Sequence, residues 1–184
     1  MSPQADLTVR YREHERVQQL IDTLRYHLED IALGYDRSDD PTGRAPGMYL
    51  ALVVGPSVES YADPMGDNRW PESEGRDPLR DPDEFADAAA EVAYTCDGAV
   101  VLSVDGVVNR QLVRFRSVEG PSGDAYEPWM GARHMSALDI STHHDVIATL
   151  TLSQESGRVT VFEHEGFESV QWEELGRPWR AMDR

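Results

Sequence analysis

Apolar residues recur every three or four positions between residues 8 and 34, which predicts a long amphipathic helix. Its apolar positions are Val17, Leu20, Ile21, Leu24, Leu28 and Ile31. Gly34 follows them as a stop signal. A second helix is predicted over residues 82 to 95, with Asp81 as its cap, Pro82 at its first position and Glu84 reaching back to the cap. A third, short helix is predicted over residues 132 to 140.

Shorter apolar runs between these helices predict strands. Residues 48 to 54 and 99 to 104 are too short for helices, and turn residues follow each run. Asp105-Gly106 predicts a two-residue hairpin turn into a returning strand over residues 107 to 115. Residues 146 to 152 and 158 to 162 form another predicted strand pair. The fold class is therefore α/β (α+β), a mixed central sheet of about five or more strands flanked by helices.

Two polar segments interrupt this pattern. Residues 57 to 82 are acidic and rich in Pro, Gly and Asp, and we predict no regular element there; residues 117 to 130 form a second excursion. We divide the chain into an N-terminal helical segment (1–45), a main domain (46–166) that contains the acidic insert 57–82, and a C-terminal tail (167–184) of ambiguous structure.

The excess of acidic over basic residues limits the kinds of partner that this protein can bind. The 34 acidic residues outnumber 17 basic ones, all of them Arg, and the net charge is -17. A GC-rich genome explains the missing Lys but not the acid excess, so we favour adaptation to a salty cytoplasm, where screening shortens the Debye length to about 3 Å near 1 M. Because the sequence has no basic stripe that could neutralise phosphates, we do not expect this protein to bind nucleic acids. The absence of a long apolar run or signal pattern, together with the single Cys96, predicts a cytoplasmic protein with no membrane partner.

Candidate chemistry lies in two motifs. Asp97 stands in an Asp-Gly-Ala triplet just before a predicted strand, and a carboxylate there suits a divalent cation. Arg133 and His134 open the short third helix, where an arginine and helix amides suit phosphate. The alternatives are an ordinary turn and an Arg that pairs with a surface acid.

The order of these motifs resembles the diadenylate cyclase family, which joins two ATP molecules into cyclic di-AMP. That family carries Asp-Gly-Ala, then Arg-His-Arg followed by small residues, then Ser-Glu-Glu-Thr-Gly. This chain has residues 97–99, then Arg-His-Met-Ser-Ala at 133–137, then Ser-Gln-Glu-Ser-Gly at 153–157. The strand at 48–54 is similar to the family's Gly-Ala-Leu-Ile-Val strand. The resemblance covers residues 46 to 166 and suggests a halophilic archaeal-type member whose diadenylate cyclase domain is that segment.

The resemblance implies roles for the motif residues. Asp97 would bind Mg²⁺ or Mn²⁺ and help activate the attacking 3′-hydroxyl. Gly98 and Ala99 would flank the nucleotide. Arg133 and His134 would hold the phosphates and so belong, with Asp97, to the catalytic set.

The third motif, residues 153–157, would complete the site, and the second motif departs from the family pattern at one position. Ser153 and Glu155 would contribute to nucleotide binding, and Glu155 would be a second metal ligand. Met135 replaces the family's second motif arginine and cannot contact a phosphate. Some charge neutralisation is therefore missing, unless Arg110, Arg114 or Arg158 supplies it or a high potassium concentration makes it less necessary.

The family also implies partners: ATP as substrate, cyclic di-AMP as product, and a face-to-face homodimer or higher homo-oligomer. The alternative is a catalytically impaired nucleotide-binding sensor that keeps the fold. His143-His144 are further metal-ligand candidates, although adjacent histidines on a strand face opposite ways and a solvated loop is the preferred interpretation. Tyr126 or Trp129 could stack an adenine, with packing as the default role.

Overall fold

A computed structural model describes residues 11–36, 43–55, 57–71, 76–116, 125–164 and 166–170. Its helices are α1 (Glu15–Asp36), α2 (Pro82–Thr95) and α3 (Ala132–Ser141). Its strands are β1 (Met48–Val53), β2 (Ala62–Arg69), β3 (Ala99–Ser103), β4 (Val108–Phe115), β5 (Val146–Leu152), β6 (Val159–Glu163) and β7 (Gly166–Val170). Among the described residues, no helix is both long and apolar enough to cross a membrane.

The described strands form one seven-stranded sheet in the order β2-β4-β3-β1-β5-β6-β7. β1 and β3 are parallel, whereas the other neighbouring pairs are antiparallel. This arrangement confirms the predicted mixed sheet flanked by helices. The parallel pair at the centre matters most for function, because parallel strands begin at the same edge of a sheet.

Both faces of the sheet are covered by helices. All six residues of β1 are buried, which explains why its sequence is a continuous apolar run rather than an alternating one. Leu50 packs in the core beneath α1 and α2, whereas Ala51 packs in the core beneath α3. Each fully buried Leu or Phe side chain contributes about 1.5 to 3 kcal/mol, so these two cores hold the sheet firmly.

The structure corrects the prediction that residues 57–82 lack regular structure. They contain β2, an edge strand that pairs with β4 and is interrupted by a register shift between Pro64 and Arg69. Pro and Gly are tolerated at a sheet edge, where one side of the strand needs no partner. Trp70 follows β2, is fully buried and stacks on Phe85 with 5.3 Å between ring centroids. The acidic insert is therefore anchored in the core.

Three smaller expectations are also revised. The β3–β4 connection is a three-residue loop, not a two-residue turn, since Ser103 N donates to Val107 O at 3.1 Å and Gly106 has φ +94°. α2 begins where predicted, but Asp81 makes no side-chain cap hydrogen bond. β7 extends the sheet into the segment that was assigned to the tail, and residues 171–184 lie outside the described residues.

Candidate functional site

Three chain segments meet at one edge of the sheet. β1 and β3 run parallel, so Gly47 before the first and Asp97 before the second lie side by side. β5 runs antiparallel to β1 and pairs Leu152 with Met48, so its end reaches the same edge. The Asp-Gly-Ala motif and the motif that starts at Ser153 are therefore brought together by the register of the central strands.

α3 places Arg133 over this edge. Its Nη1 donates to Leu152 O at 3.3 Å. Burial lowers the pKa of the Arg133 guanidinium, while the Asp97 carboxylate raises it and the Arg44 guanidinium lowers it. Arginine remains a cation in proteins. The predicted carboxylate and guanidinium thus lie within each other's electrostatic reach.

Arg44 is a site residue that the sequence did not reveal. Its Nη2 lies 3.4 Å from Asp97 Oδ1, and the two side chains are 53% and 65% exposed. An exposed pair of this kind contributes no more than about 1 kcal/mol, so either partner can exchange easily for another ion. Arg44 lies near the end of the segment 1–45, which was assigned as the N-terminal helical segment and to which no site residue was assigned. The parallel pairing of β1 with β3 is the signal that would have located it.

A hydrogen bond to the backbone of Asp97 and the conformation of Gly98 hold the turn around Asp97 in place. Asn68 Nδ2 donates to Asp97 O at 3.0 Å, which ties the turn to the end of β2. Gly98 has φ +110°, a conformation that favours glycine. A Cβ there would also lie 3.1 Å from Met65 Cγ. Ala99 is buried in the core beneath α3.

A second glycine shapes the floor of the site. A Cβ on Gly47 would overlap Arg133 Nη1 and Gln154 Cγ. Gln154 is itself held across this floor, because its Nε2 donates to Ala45 O at 3.0 Å. The missing side chain at Gly47 is therefore what allows Arg133 and Gln154 to lie together.

His134 is buried and neutral. Burial lowers its pKa to about 4, with further lowering from the charges of Arg133 and Arg158. Its ring meets the edge of Trp129 with 5.1 Å between centroids. Among the described residues, His134 Nε2 has no hydrogen-bond partner. At neutral pH this imidazole could offer one N–H or one lone pair to a phosphate, but no positive charge.

The two candidate adenine-stacking aromatics have structural partners. Arg158 Cζ lies 4.0 Å from the Trp129 ring centroid, so one face of the indole is covered. Tyr126 donates its hydroxyl to Asp139 Oδ1 at 2.6 Å. These contacts agree with packing as the default role of both rings.

Arg158 is also the best placed of the three arginines considered as substitutes for the missing charge. Its positive charge acts on His134 beside Arg133. Arg114 instead lies opposite Asp63 in the β2–β4 ladder, and the side chain of Arg110 lies outside the described residues. Met135 packs against the core beneath α3.

The third motif forms a tight turn. Ser153 Oγ accepts from the backbone N–H groups of Glu155 and Ser156, both at 3.3 Å. Glu155 itself is exposed. Within the described part of the chain no contact joins Glu155 to Asp97, so a metal site with two carboxylates stays a prediction. The phosphate contacts of His134 and Ser153 stay predictions as well.

Comparison with known families gives one match at this site. The model described as DisA bacterial checkpoint controller nucleotide-binding matches residues 88–167, which include Asp97, Arg133 and Glu155. A search of curated protein sequences found no match.

Two of the solved structures that match this chain illustrate the shared fold. A hypothetical membrane spanning protein from Bacillus cereus has a TM-score of 0.54 and 14% identity over 84% of this chain. This chain spans only 63% of that protein. A double mutant of DacA from Staphylococcus aureus has a TM-score of 0.52 and 15% identity, and the match covers 86% of this chain and 91% of that one. These structures show the shared fold, and the family match over residues 88–167 agrees with the resemblance drawn from the motifs.

Proposed function

We propose that this chain is a diadenylate cyclase, which condenses two ATP molecules into cyclic di-AMP and two pyrophosphates. The observation that carries the proposal is the convergence of Asp97, Arg44 and Arg133 where β1 and β3 begin and β5 ends. The family match over residues 88–167 and the shared fold support it.

The reaction needs two identical transfers. In each, the 3′-hydroxyl oxygen of one ATP attacks the α-phosphorus of the other, the hydroxyl proton is lost, and the bond to the bridging oxygen breaks to release pyrophosphate. Such transfers depend mainly on positioning and on neutralising charge. Because both nucleotides must react with each other, we propose that two copies of the chain face one another in a symmetric homodimer.

The donor set at this edge fits Mg²⁺ or Mn²⁺, which prefer carboxylate oxygens. The Asp97 side chain is 65% exposed, and its weak pair with Arg44 leaves it available. Asp97 would hold the ion, and Glu155 would be the second carboxylate. A bound divalent ion would supply Lewis-acid stabilisation of the phosphate oxygens and favour loss of the 3′-hydroxyl proton.

The chain's own residues would do the positioning. Arg133, already oriented by Leu152 O, would bind triphosphate oxygens through its remaining N–H groups. Neutral His134 would add one hydrogen bond. Gly98 and Ala99 would leave room for the nucleotide beside the metal, and Ser153 would keep its turn in place.

We assign to Arg44, which lies beside Asp97, part of the charge that the family's second motif arginine supplies, in addition to any contribution from Arg158. Arg44→Ala is expected to lower kcat/KM for ATP by about 10- to 100-fold, mainly through a higher KM, because it removes one charge-assisted phosphate contact of about 1.5 to 3 kcal/mol. Steady-state kinetics measure this effect. Arg80→Ala removes another exposed arginine and should leave the kinetics unchanged. An unaltered KM in Arg44→Ala would remove Arg44 from the site.

The floor of the site gives a second prediction. Gly47→Ala is expected to weaken the binding of a non-hydrolysable ATP analogue about tenfold, because the new methyl group displaces Arg133 and Gln154. Isothermal titration calorimetry measures the affinity. The matched control is Gly131→Ala, since a Cβ at Gly131 meets nothing within 4 Å. Equal affinities for the two variants would contradict this role of Gly47.

The second candidate is a catalytically impaired sensor, which Met135 favours because this residue packs against the core beneath α3 and cannot contact a phosphate. Incubation of the protein with ATP and MnCl₂ in concentrated KCl separates the two candidates, with salt included because of the net charge of -17. Chromatographic detection of cyclic di-AMP supports the cyclase. Binding of ATP or cyclic di-AMP without turnover would support the sensor. In either role we place the protein in the cytoplasm, where ATP is available.

A further inference from the structure

A second cluster of metal-ligating side chains lies far from Asp97. His143, His144 and Asp145 form the turn between α3 and β5. Asp145 immediately precedes β5, whereas Ser153 immediately follows it. At roughly 3.4 Å per residue, the strand separates the two ends by about 25 Å, so this cluster is distinct from the proposed nucleotide site.

Backbone hydrogen bonds hold this turn in place. His143 N donates to Ile140 O at 2.9 Å, and Val54 N donates to Asp145 O at 2.7 Å. The turn is therefore fixed to the end of α3 and to the end of β1. Because the two histidines lie in a turn, their side chains do not alternate as on a strand. Their rings stack with centroids 4.4 Å apart.

The spacing of the ligand atoms suits one cation. Each of the three residues offers an atom, and these atoms all lie within 4.8 Å of one another. His144 Nε2 is 3.4 Å from Asp145 Oδ2. Two ligands bound at about 2.1 Å to one tetrahedral ion lie about 3.4 Å apart. His143 Nδ1 now accepts a long hydrogen bond of 3.2 Å from Asp145 N, which a metal bond would replace.

A buried hydroxyl beside the cluster provides an independent sign of a missing partner. Tyr61 stacks on His143 with 4.1 Å between centroids and is only 4% exposed. Its Oη has no hydrogen-bond partner within the described residues, an arrangement that costs about 1 to 3 kcal/mol when it persists. Burial raises the pKa of Tyr61, and the Asp145 charge raises it further, so the hydroxyl lies near that carboxylate. A metal-bound water or a metal-bound carboxylate would accept a hydrogen bond from this hydroxyl.

We propose that His143, His144 and Asp145 bind a zinc-class divalent cation. Two imidazoles and one carboxylate favour Zn²⁺ or Ni²⁺ over Mg²⁺, which prefers an all-oxygen set. Three protein ligands leave a fourth position for water, and Tyr61 donates a hydrogen bond to this ligand shell. The bound cation ties together the end of β1, the start of β5 and the segment before β2.

Equilibrium dialysis of the untagged full chain against ZnCl₂, followed by metal analysis, tests this proposal. The expected result is one tightly bound Zn²⁺ per chain, undiminished by excess MgCl₂, and a melting temperature that rises with ZnCl₂ concentration. His144→Ala is expected to weaken Zn²⁺ affinity at least about tenfold and to abolish the thermal shift. This side chain is 57% exposed, so the variant should fold.

Two controls locate the ion. His164→Ala removes an exposed histidine outside the cluster, and Asp97→Asn alters the proposed nucleotide site; both should bind Zn²⁺ like the unmodified chain. Failure of the unmodified chain to bind Zn²⁺ would overturn the proposal, as would full affinity in His144→Ala. An ordinary ion pair between His144 and Asp145 predicts these overturning results.

Discussion

Replacing Asp97 with Asn is expected to lower the rate of cyclic di-AMP formation at least about a thousandfold, which corresponds to roughly 4 kcal/mol of lost transition-state stabilisation. Asn keeps the size of the side chain but removes the negative charge that a divalent cation requires. The side chain is 65% exposed, and within the described residues its ion pair is the weak one with Arg44, so the fold should be unaffected. Product formation from ATP and MnCl₂ measures the effect.

A matched control exists elsewhere on the surface. Asp63 also pairs with an arginine, since Arg116 Nε lies 3.6 Å from Asp63 Oδ2, and both side chains are 50% exposed. Asp63→Asn should therefore retain full activity, because it loses an equivalent ion pair without a metal ligand. If Asp97→Asn kept more than about a tenth of the activity, Asp97 could not be the essential metal ligand.

The sequence correctly predicted the strands whose apolar residues are buried in the core. β1 is a continuous apolar run, and β5 is apolar except for the buried Thr149 and Thr151, because both faces of each strand are buried; their predicted bounds agree closely with the structure. The resemblance of the motifs predicted that Asp97 and Arg133 share one site, and the structure brings the two side chains within electrostatic reach of each other.

What the sequence did not predict depends on tertiary contacts. β2 contains Pro64 and Gly66 and lacks β-branched residues, so only its pairing with β4 makes it a strand. Arg44 becomes a site residue only because its loop runs beside the start of β3. The stacked pair at His143 and His144 arises from a turn whose conformation is set by α3 and β1.

Arg133→Gln is expected to lower kcat/KM for ATP by about 100- to 1000-fold, because the guanidinium is the partly buried cation at the site. Partial burial strengthens its interaction with phosphate relative to a fully exposed side chain. Arg133→Lys keeps the charge but loses the planar guanidinium and the hydrogen bond to Leu152 O. Its kcat/KM should therefore lie between the values of Arg133→Gln and the unmodified chain. Steady-state kinetics and ATP-analogue titration measure both variants.

Comparing the activities of Arg133→Lys and Arg133→Gln separates the effect of charge from the effect of geometry. If charge alone mattered, Lys would restore nearly full activity; if the geometry set by Leu152 O matters, Lys should still be impaired by about tenfold or more. Arg16→Gln, on the exposed surface of α1, is the control for a general change in net charge. Activity of Arg133→Gln within twofold of that control would show that Arg133 does not contact the triphosphate. The pairing with Asp97 would then be an ordinary electrostatic contact, and the sheet edge would lose its role as the nucleotide site.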